Sequence, residues 1–352
     1  MRLKKMVNKI SIYSLTLEQL TSQITSIGLK KHNAIQIYQW LYQKNASSFD
    51  EMSNIAKSSR EILKDHFTFC SLKITKRLID EVDETTKFLF ELHDGQLIET
   101  VLMKFDYGYS VCISSQVGCN MGCKFCASGL LKKIRDLSVD EIVMQYVETQ
   151  KYLNSLNNQR INNMVIMGIG EPFDNYDNIK NALSIFNNHY GIAVGNRHIT
   201  ISTCGIVPKI EQFPYDFPQV NLAISLHAPN DKLRSQLMPI NNAYNLDQLM
   251  KSIKKYLSIT NRRISFEYIL LKDINDSDDH AKQLGKLLEG MLCYVNIIVY
   301  NNINEHDFQP SDRYKSFMNI LKKYGVMTTK RLERGTKINA ACGQLRAKQI
   351  KQ

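Results

Sequence analysis

Three cysteines stand close together at Cys119, Cys123 and Cys126, in the run Cys-Asn-Met-Gly-Cys-Lys-Phe-Cys. Thiolates are soft ligands that suit iron–sulfur clusters or zinc. Three of them on one loop can hold three irons of a 4Fe–4S cluster and leave the fourth iron open to an outside ligand, unlike the usual four-cysteine set. A zinc site would want a fourth Cys or His at comparable spacing. None stands nearby, since Cys112 lies seven residues upstream in a strand-like run. The spacing therefore reads as an iron–sulfur ligand set, with zinc as the alternative. A further cysteine, Cys342, sits among small residues in Asn-Ala-Ala-Cys-Gly-Gln-Leu-Arg. On its own, that setting describes a buried apolar filler.

The elements that must position these residues divide into two kinds. Residues 14–70 carry apolar residues at helical spacing, in TLEQLTSQITSI, HNAIQIYQWLYQK and SSREILKDHF, and the only tryptophan, Trp40, reads as core. Two β-rich runs follow, KFLFELHD and QLIETVLMKF, with Asp94 and Gly95 between them as the turn of a hairpin. From Val111 onward strands alternate with helices. The strands are VCISS, NMVIM, HITIS, VNLAISL, RISFEYILL and YVNIIVY, and the first long helix opens on a capping box from Ser138 to Glu141. Six βα units predict a parallel sheet with helices outside, too few for a closed eight-fold barrel. The fold class expected is thus α/β, an open partial βα barrel. Its domains are a helical unit over residues 1–75, a hairpin linker over 76–110 and the barrel over 111–352. Function in such folds collects at the C-terminal ends of the strands, where the cysteine triplet lies.

The chain has 352 residues, 43% of them hydrophobic, enough for a large core. Its 45 Lys and Arg against 34 Asp and Glu give a formal charge of +11, which favours polyanionic partners such as nucleic acid. The opening residues MRLKKMVNKISIYSL hold no continuous apolar stretch, and no run is long enough to span a bilayer, so a cytoplasmic protein is expected. Stable disulfides are rare there, and eight cysteines point instead to metal ligation, redox chemistry or catalysis.

The CxxxCxxC spacing, with aromatic Phe125 before the last cysteine, resembles the hallmark of the radical S-adenosylmethionine (SAM) superfamily. That resemblance implies one 4Fe–4S cluster per chain and SAM chelating its open iron. Reductive cleavage of SAM then gives a 5′-deoxyadenosyl radical. It also implies SAM contacts from Gly170 and Glu171 after the second strand, Ser202 after the third, Ser225, Leu226 and His227 at the end of the fourth, and Asn301 after the sixth.

AACGQLR and CISSQVGC, together with QIYQWLY, MGIGEPFDN and ISLHAPND, resemble the RlmN/Cfr family of radical SAM RNA methyltransferases along nearly the whole chain. An adenine ring carbon is a poor nucleophile toward a methyl sulfonium, so simple displacement will not methylate it. The resemblance implies that one SAM methylates Cys342 and a second supplies the radical, two per turnover. That radical takes a hydrogen from the S-methyl group, and the resulting methylene radical adds to adenine. Glu99 matches the family's proton acceptor, although by its residue type alone it reads as a solvent-exposed charge on a strand. Cys112 is then the thiol that attacks Cys342, forming a transient disulfide and releasing the product.

The implied partners are 23S rRNA and tRNA and a flavodoxin- or ferredoxin-type electron donor, with no membrane and a monomeric chain. Pro172 after Glu171 and the run CGQLRAKQ from Cys342 resemble the adenine-C2 branch (RlmN), the C8 branch (Cfr) being the alternative. Val299-Tyr300-Asn301-Asn302 departs from the family, which usually places a proline beside Tyr-Asn. Lys30, Lys31, Lys330, Arg331, Arg334 and Arg346 are candidates to grip an RNA backbone. Cys70, Cys204 and Cys293 receive no role, and Cys204 reads as packing. Two readings compete with this one: a zinc-stabilised RNA-binding protein without catalysis, and a radical SAM enzyme acting on another substrate such as a polypeptide.

Overall fold

A computed structural model describes residues 9–302, 307–341 and 343–345. Helices α1 (Leu17–Ser26), α2 (His32–Tyr42) and α3 (Lys57–His66) form the N-terminal unit. Thr16 and Gln19 close a reciprocal capping box at the start of α1, so its first backbone donors have partners. Leu20 and Ile24 of α1 face Ile37, Tyr38 and Leu41 of α2, all with no exposed surface. Trp40, expected in the core, is only half-buried. Its indole N–H needs an acceptor and finds Asn54 Oδ1, and Lys44 covers the ring from outside. The unit is welded to the barrel through Gly191, where an added Cβ would meet the Tyr38 and Tyr42 rings at 3.1 Å.

Everything else hangs on one ten-stranded sheet whose spatial order follows the order of its strands along the chain. Its antiparallel arm is β1 (Lys73–Ile79), β2 (Thr86–Glu91), β3 (Leu97–Phe105) and β4 (Gly108–Ile113). From β4 the sheet turns parallel, through β5 (Ile161–Ile166), β6 (Ile199–Thr203), β7 (Asn221–Ser225), β8 (Ile264–Leu270), β9 (Cys293–Val299) and β10 (Met327–Lys330). Helices α4 (Val139–Asn157), α5 (Tyr176–Asn187), α6 (Val207–Asp216), α7 (Asp231–Leu237), α8 (Leu246–Thr260), α9 (Asp278–Leu288) and α10 (Tyr314–Lys323) link the parallel strands. The expected capping box at α4 forms, with Ser138 N–H donating to Glu141 at 3.0 Å.

The sheet is open and its parallel part has seven strands, one more than the six expected. The extra strand β10 is four residues long and mostly exposed, so it carries no apolar alternation to detect. Strand β1 was likewise unmarked, because its lysines and arginine leave nearly every position exposed. The hairpin residues are hydrogen-bonded into the same sheet as the barrel strands. On β2, Phe88 and Phe90 point to the helix side while Lys87 and Leu89 point to the other. That second face continues across the pairs Lys87–Val101 and Val101–Cys112. Among the described residues no helix is long and apolar enough to cross a membrane.

Candidate active site

The loop that leaves β4 is fixed before it reaches the cysteines. Ser114 N–H donates to Gln145 of α4 at 2.8 Å, and Ser114 Oγ donates to the carbonyl of Glu99 at 2.7 Å. Gln116 and Val117 then pair with Asp136 and Arg135, which closes the intervening loop into a ring. At Gly118 the backbone has φ +77°, and a Cβ would lie 2.2 Å from the Lys132 carbonyl, so only glycine fits the closure. Cys119 N–H donates to Leu131, Lys124 N–H to Leu237 at the end of α7, and Cys126 N–H to Cys123.

Cys119, Cys123 and Cys126 line one wall of a cavity at the mouth of the barrel, and Gly170, Glu171, Ser202, Ser225 and His227 line the facing wall. These residues come from a loop and three different strand ends, as the barrel architecture requires. Burial pushes the Cys119 thiol up to about 12 and the Cys123 thiol well above its ordinary range. A bound metal cation reverses that, since a coordinating thiol is deprotonated outright. Among the described residues no three such side chains close around a single ion. In a cluster each thiolate holds its own iron, and three ligands spread along one wall meet that need.

Glu171 is buried, and its carboxylate accepts from the N–H of Cys204 at 2.7 Å and of Phe173 at 3.0 Å. Burial still pushes its carboxyl above the usual range. Gly170 holds φ +106°, where a Cβ would come within 2.6 Å of Gln116, so the chain passes the cavity with no side chain in the way. His227 sits in the left-handed region with φ +56°. Its Nδ1 accepts from Ile269 N–H at 3.0 Å, which leaves the ring proton on Nε2. Burial, helped by Arg234, drives its pKa down to about 3, so the imidazole is neutral. Phe125 packs edge-on against this ring, 4.6 Å between centres.

Two expected residues stand elsewhere. Leu226 has no exposed surface and does not line the cavity; its N–H donates to the Glu267 carbonyl and its own carbonyl accepts from Arg234. Asn301 lines a smaller adjoining cavity together with Cys112, Ala340, Ala341 and Leu345. The two cavities share Met167, Ile298 and Arg331 as a common wall.

Cys342 and Arg346 lie outside the described residues, but the neighbours of Cys342 are placed. Ala127 N–H donates to the Gly343 carbonyl and Ser128 Oγ to the Leu345 carbonyl, both at 2.7 Å. Ala340 and Leu345 pack in one apolar cluster with Val101, Cys112 and Ile169. The segment is thereby tied to the cysteine loop on one side and to Cys112 on the other.

Glu99 corrects its sequence reading as a solvent-exposed charge. It is 5% exposed and forms an ion pair with Lys87 at 3.1 Å. Lys87 also donates to the Asn339 carbonyl at 3.0 Å, which links the acid to the segment that leads to Cys342. Arg331 is half-buried, pairs with Glu267 at 3.3 Å and lines the cavity. Lys30, Lys31 and Lys330 are exposed, whereas Arg334 is half-buried over the Phe105 ring. Cys204 packs as expected, beside Phe125 and Met238.

Sequence reasoning missed Lys87, Arg234 and Glu267. Glu267 had a usable signal: it is the lone acid inside the apolar strand RISFEYILL, and it is buried at the cavity wall. Lys87 and Arg234 had none, because each depends on a partner far along the chain or on burial that a surface-type residue does not announce.

An open parallel barrel with three loop cysteines facing strand-end polar groups defines a radical SAM enzyme. Residues 113–285 match the Radical SAM superfamily and residues 10–69 match the Ribosomal RNA large subunit methyltransferase N-terminal domain. The chain belongs to the RlmN family. It is 49% identical over 340 residues to the probable dual-specificity RNA methyltransferase RlmN of Malacoplasma penetrans, covering 97% of each chain. It is 51% identical over 338 residues to the protein of the same description from Spiroplasma citri, covering 96% of this chain and 97% of that one. The crystal structure of a radical SAM methyltransferase from Sphaerobacter thermophilus matches with a TM-score of 0.91 and 40% identity, over 96% of this chain and 100% of the other. The cofactors of this superfamily are a 4Fe–4S cluster and SAM, and the thiol wall and facing polar wall fit them.

Proposed function

We propose that this chain methylates C2 of an adenosine in 23S rRNA and in tRNA beside the anticodon, with Cys342 carrying the methyl group, Cys112 resolving and Glu99 accepting the ring proton. When bound, the cluster and SAM supply the radical that opens the S-methyl group. Cys119, Cys123 and Cys126 are the residues to hold the cluster. Gly170, Glu171, Ser202, Ser225 and His227 are those to cradle SAM, with Leu226 and Asn301 in supporting positions. Once the base is joined to Cys342, Glu99 takes the proton, and the Cys112 thiolate attacks the Cys342 sulfur. The carbon–sulfur electron pair leaves with the product, whose methylene carbon takes up a proton to become methyl; a disulfide joins Cys112 and Cys342, and an external thiol reduces it.

The observation that carries this reading is the double attachment of the segment around Cys342. Ala127 and Ser128 of the cysteine loop hold the residues after it, and Cys112 shares an apolar cluster with Ala340 and Leu345. A methyl carrier must meet both a radical source and a resolving thiol, and this segment borders both. RNA reaches the mouth with the adenosine turned out of its stack, because the target carbon is inaccessible inside a duplex. Exposed Lys30, Lys31 and Lys330 are the proposed phosphate contacts, with residues 1–75 as the RNA-facing unit, 76–110 as its connection and 111–352 as the catalytic barrel. The chain acts in the cytoplasm as a monomer, and a flavodoxin- or ferredoxin-type protein delivers the electron.

Mass spectrometry of nucleosides from a host lacking its own enzyme tests the proposal. Expression of this gene yields 2-methyladenosine in the rRNA and tRNA fractions. The 8-methyl isomer alone would mean the other branch of the family, and no methyladenosine would sink the RNA assignment. Anaerobically purified protein carries iron and sulfide at about four each per chain; stoichiometric zinc without iron would refute the cluster.

A further inference from the structure

Arg234, on α7, is the largest fully buried side chain among the described residues. Its Nη2 donates to the carbonyls of Cys204 at 2.7 Å and Ser225 at 3.3 Å, its Nε to that of Leu226 at 3.3 Å, and its Nη1 to Asn241 Oδ1 at 3.0 Å. All four acceptors are neutral. Among the described residues no carboxylate bonds to it. Asp231, three positions earlier, is occupied by Asn241 Nδ2 and by the N–H of Leu246. A guanidinium stays charged in any protein setting, and a charge without a counter-charge is among the costliest things to bury. Four of its N–H groups are bonded to neutral acceptors, and Asp231 favours its charge only through space.

The compensation is available across a short apolar layer. Leu237, at the end of the same helix, accepts the N–H of Lys124 between two of the cluster cysteines. Leu233 and Leu237 pack in one cluster with Phe125 and Cys204, with Cys123 and Cys126 against them. Cys204 and Ser225, whose carbonyls accept from its Nη2, line the same cavity as Cys119, Cys123 and Cys126. Three thiolates leave a 4Fe–4S cluster net negative, and it gains one more negative charge each time it accepts an electron. A fixed cation stabilises the reduced form more than the oxidised one.

We propose that Arg234 is the buried counter-charge of the iron–sulfur cluster and makes that cluster easier to reduce. It touches neither substrate nor the reacting atoms and acts through space, as a positioning residue for charge. A unit charge roughly 10 Å away, in a medium of effective permittivity about 20, shifts a one-electron equilibrium by roughly tenfold. Arg234 also ties together the chain ends after β6 and β7, so hydrogen bonding must be separated from charge in the test.

The inference rests on the cluster assignment, and metal content reports that assignment independently of potential. The full chain is reconstituted anaerobically, its iron and sulfide are measured, and the cluster is titrated electrochemically with its EPR signal as the readout. Arg234→Gln, with metal content equal to the native chain, becomes about tenfold harder to reduce, a midpoint about 59 mV lower for one electron. Arg234→Lys keeps the charge with fewer donors and stays within about threefold of the native equilibrium. Where the glutamine variant loads less iron, its midpoint is read on the loaded fraction alone, since a midpoint does not depend on the amount of cluster. A native midpoint in the glutamine variant would overturn the proposal, as would equal falls in the lysine and glutamine variants.

Discussion

Lys87→Met removes one half of a buried ion pair and leaves the other half in place. The Glu99 and Lys87 side chains are 7% and 11% exposed, so water screens neither effectively. Breaking such a pair from one side costs about 3–5 kcal/mol, because the buried carboxylate loses the Lys87 cation beside it. Replacing both members with apolar residues of similar volume removes that penalty, so Lys87→Met combined with Glu99→Leu recovers most of the loss. Urea unfolding of the full chain and its three variants reads this directly. The functional consequence is separate. Glu99 without the Lys87 contact loses the ion pair that orients it, and the proposed transfer of the adenine ring proton to it slows. Methylation of Cys342 therefore proceeds while RNA remains attached to protein, visible as a slow-migrating, nuclease-sensitive band. A loss below about 1 kcal/mol, the range of an exposed pair, would refute the energetic reasoning. Normal release of product by Lys87→Met would refute the chemical part.

Four further outcomes follow. Cys342→Ala abolishes methyladenosine while iron and sulfide stay at native levels, and full activity would remove Cys342 from the reaction. Cys112→Ala accumulates protein covalently joined to RNA; normal turnover without adduct would show another thiol resolving. Gly170→Ala forces a Cβ to within 2.7 Å of Ser115 Oγ at φ +106°, a backbone and packing strain of about 1–3 kcal/mol, and equilibrium dialysis finds SAM affinity lowered about tenfold or more. For His227, the folded pKa of about 3 lies below the unfolded value of 6.5, so the unfolded chain binds the extra proton between them. Its contribution is fully present above pH 6.5 and is lost as pH falls toward 3; His227→Gln flattens that acid limb in stability curves, and an unchanged limb would count against a buried neutral imidazole.

What could be read from the sequence follows the range of the physics involved. The cysteine loop is local: three ligands, a strand before it and a glycine at its closure all lie within a few residues, and the structure brings them to one wall. The barrel strands announced themselves through apolar residues, alternating in Ile199–Thr203 and continuous in Ile264–Leu270, which is buried throughout. Strands β1 and β10 lie at the two edges of the sheet, where exposed polar positions erase the pattern. Glu99 could be placed on a strand but its burial could not, since its partner Lys87 lies on the preceding strand and side-chain direction depends on register. Asn301 went to the smaller cavity because the chain beyond β9 leads toward the Ala340–Leu345 segment, a long-range contact that carries no local mark. Arg331 looked like surface charge for the same reason: its acidic partner, Glu267, is 64 residues earlier.

The ties of the C-terminal segment have a consequence for the order in which the protein assembles. Lys87 to Asn339 and Asp83 to Gly335 each span 252 residues, and Ser128 to Leu345 spans 217. A ribosome makes the cysteine loop and the sheet strands well before it makes the residues that close over them. Contacts between such distant positions also bear the largest loop-closure cost and are rewarded last. The barrel mouth therefore exists for a time as an unroofed cup with its thiols reachable from solvent. That interval, before residues 340–345 close beside the cysteine loop, is the one in which a cluster meets the fewest obstacles. Ala340, Gly343 and Leu345 arrive last among these residues and close against the cysteine loop on one side and Cys112 on the other.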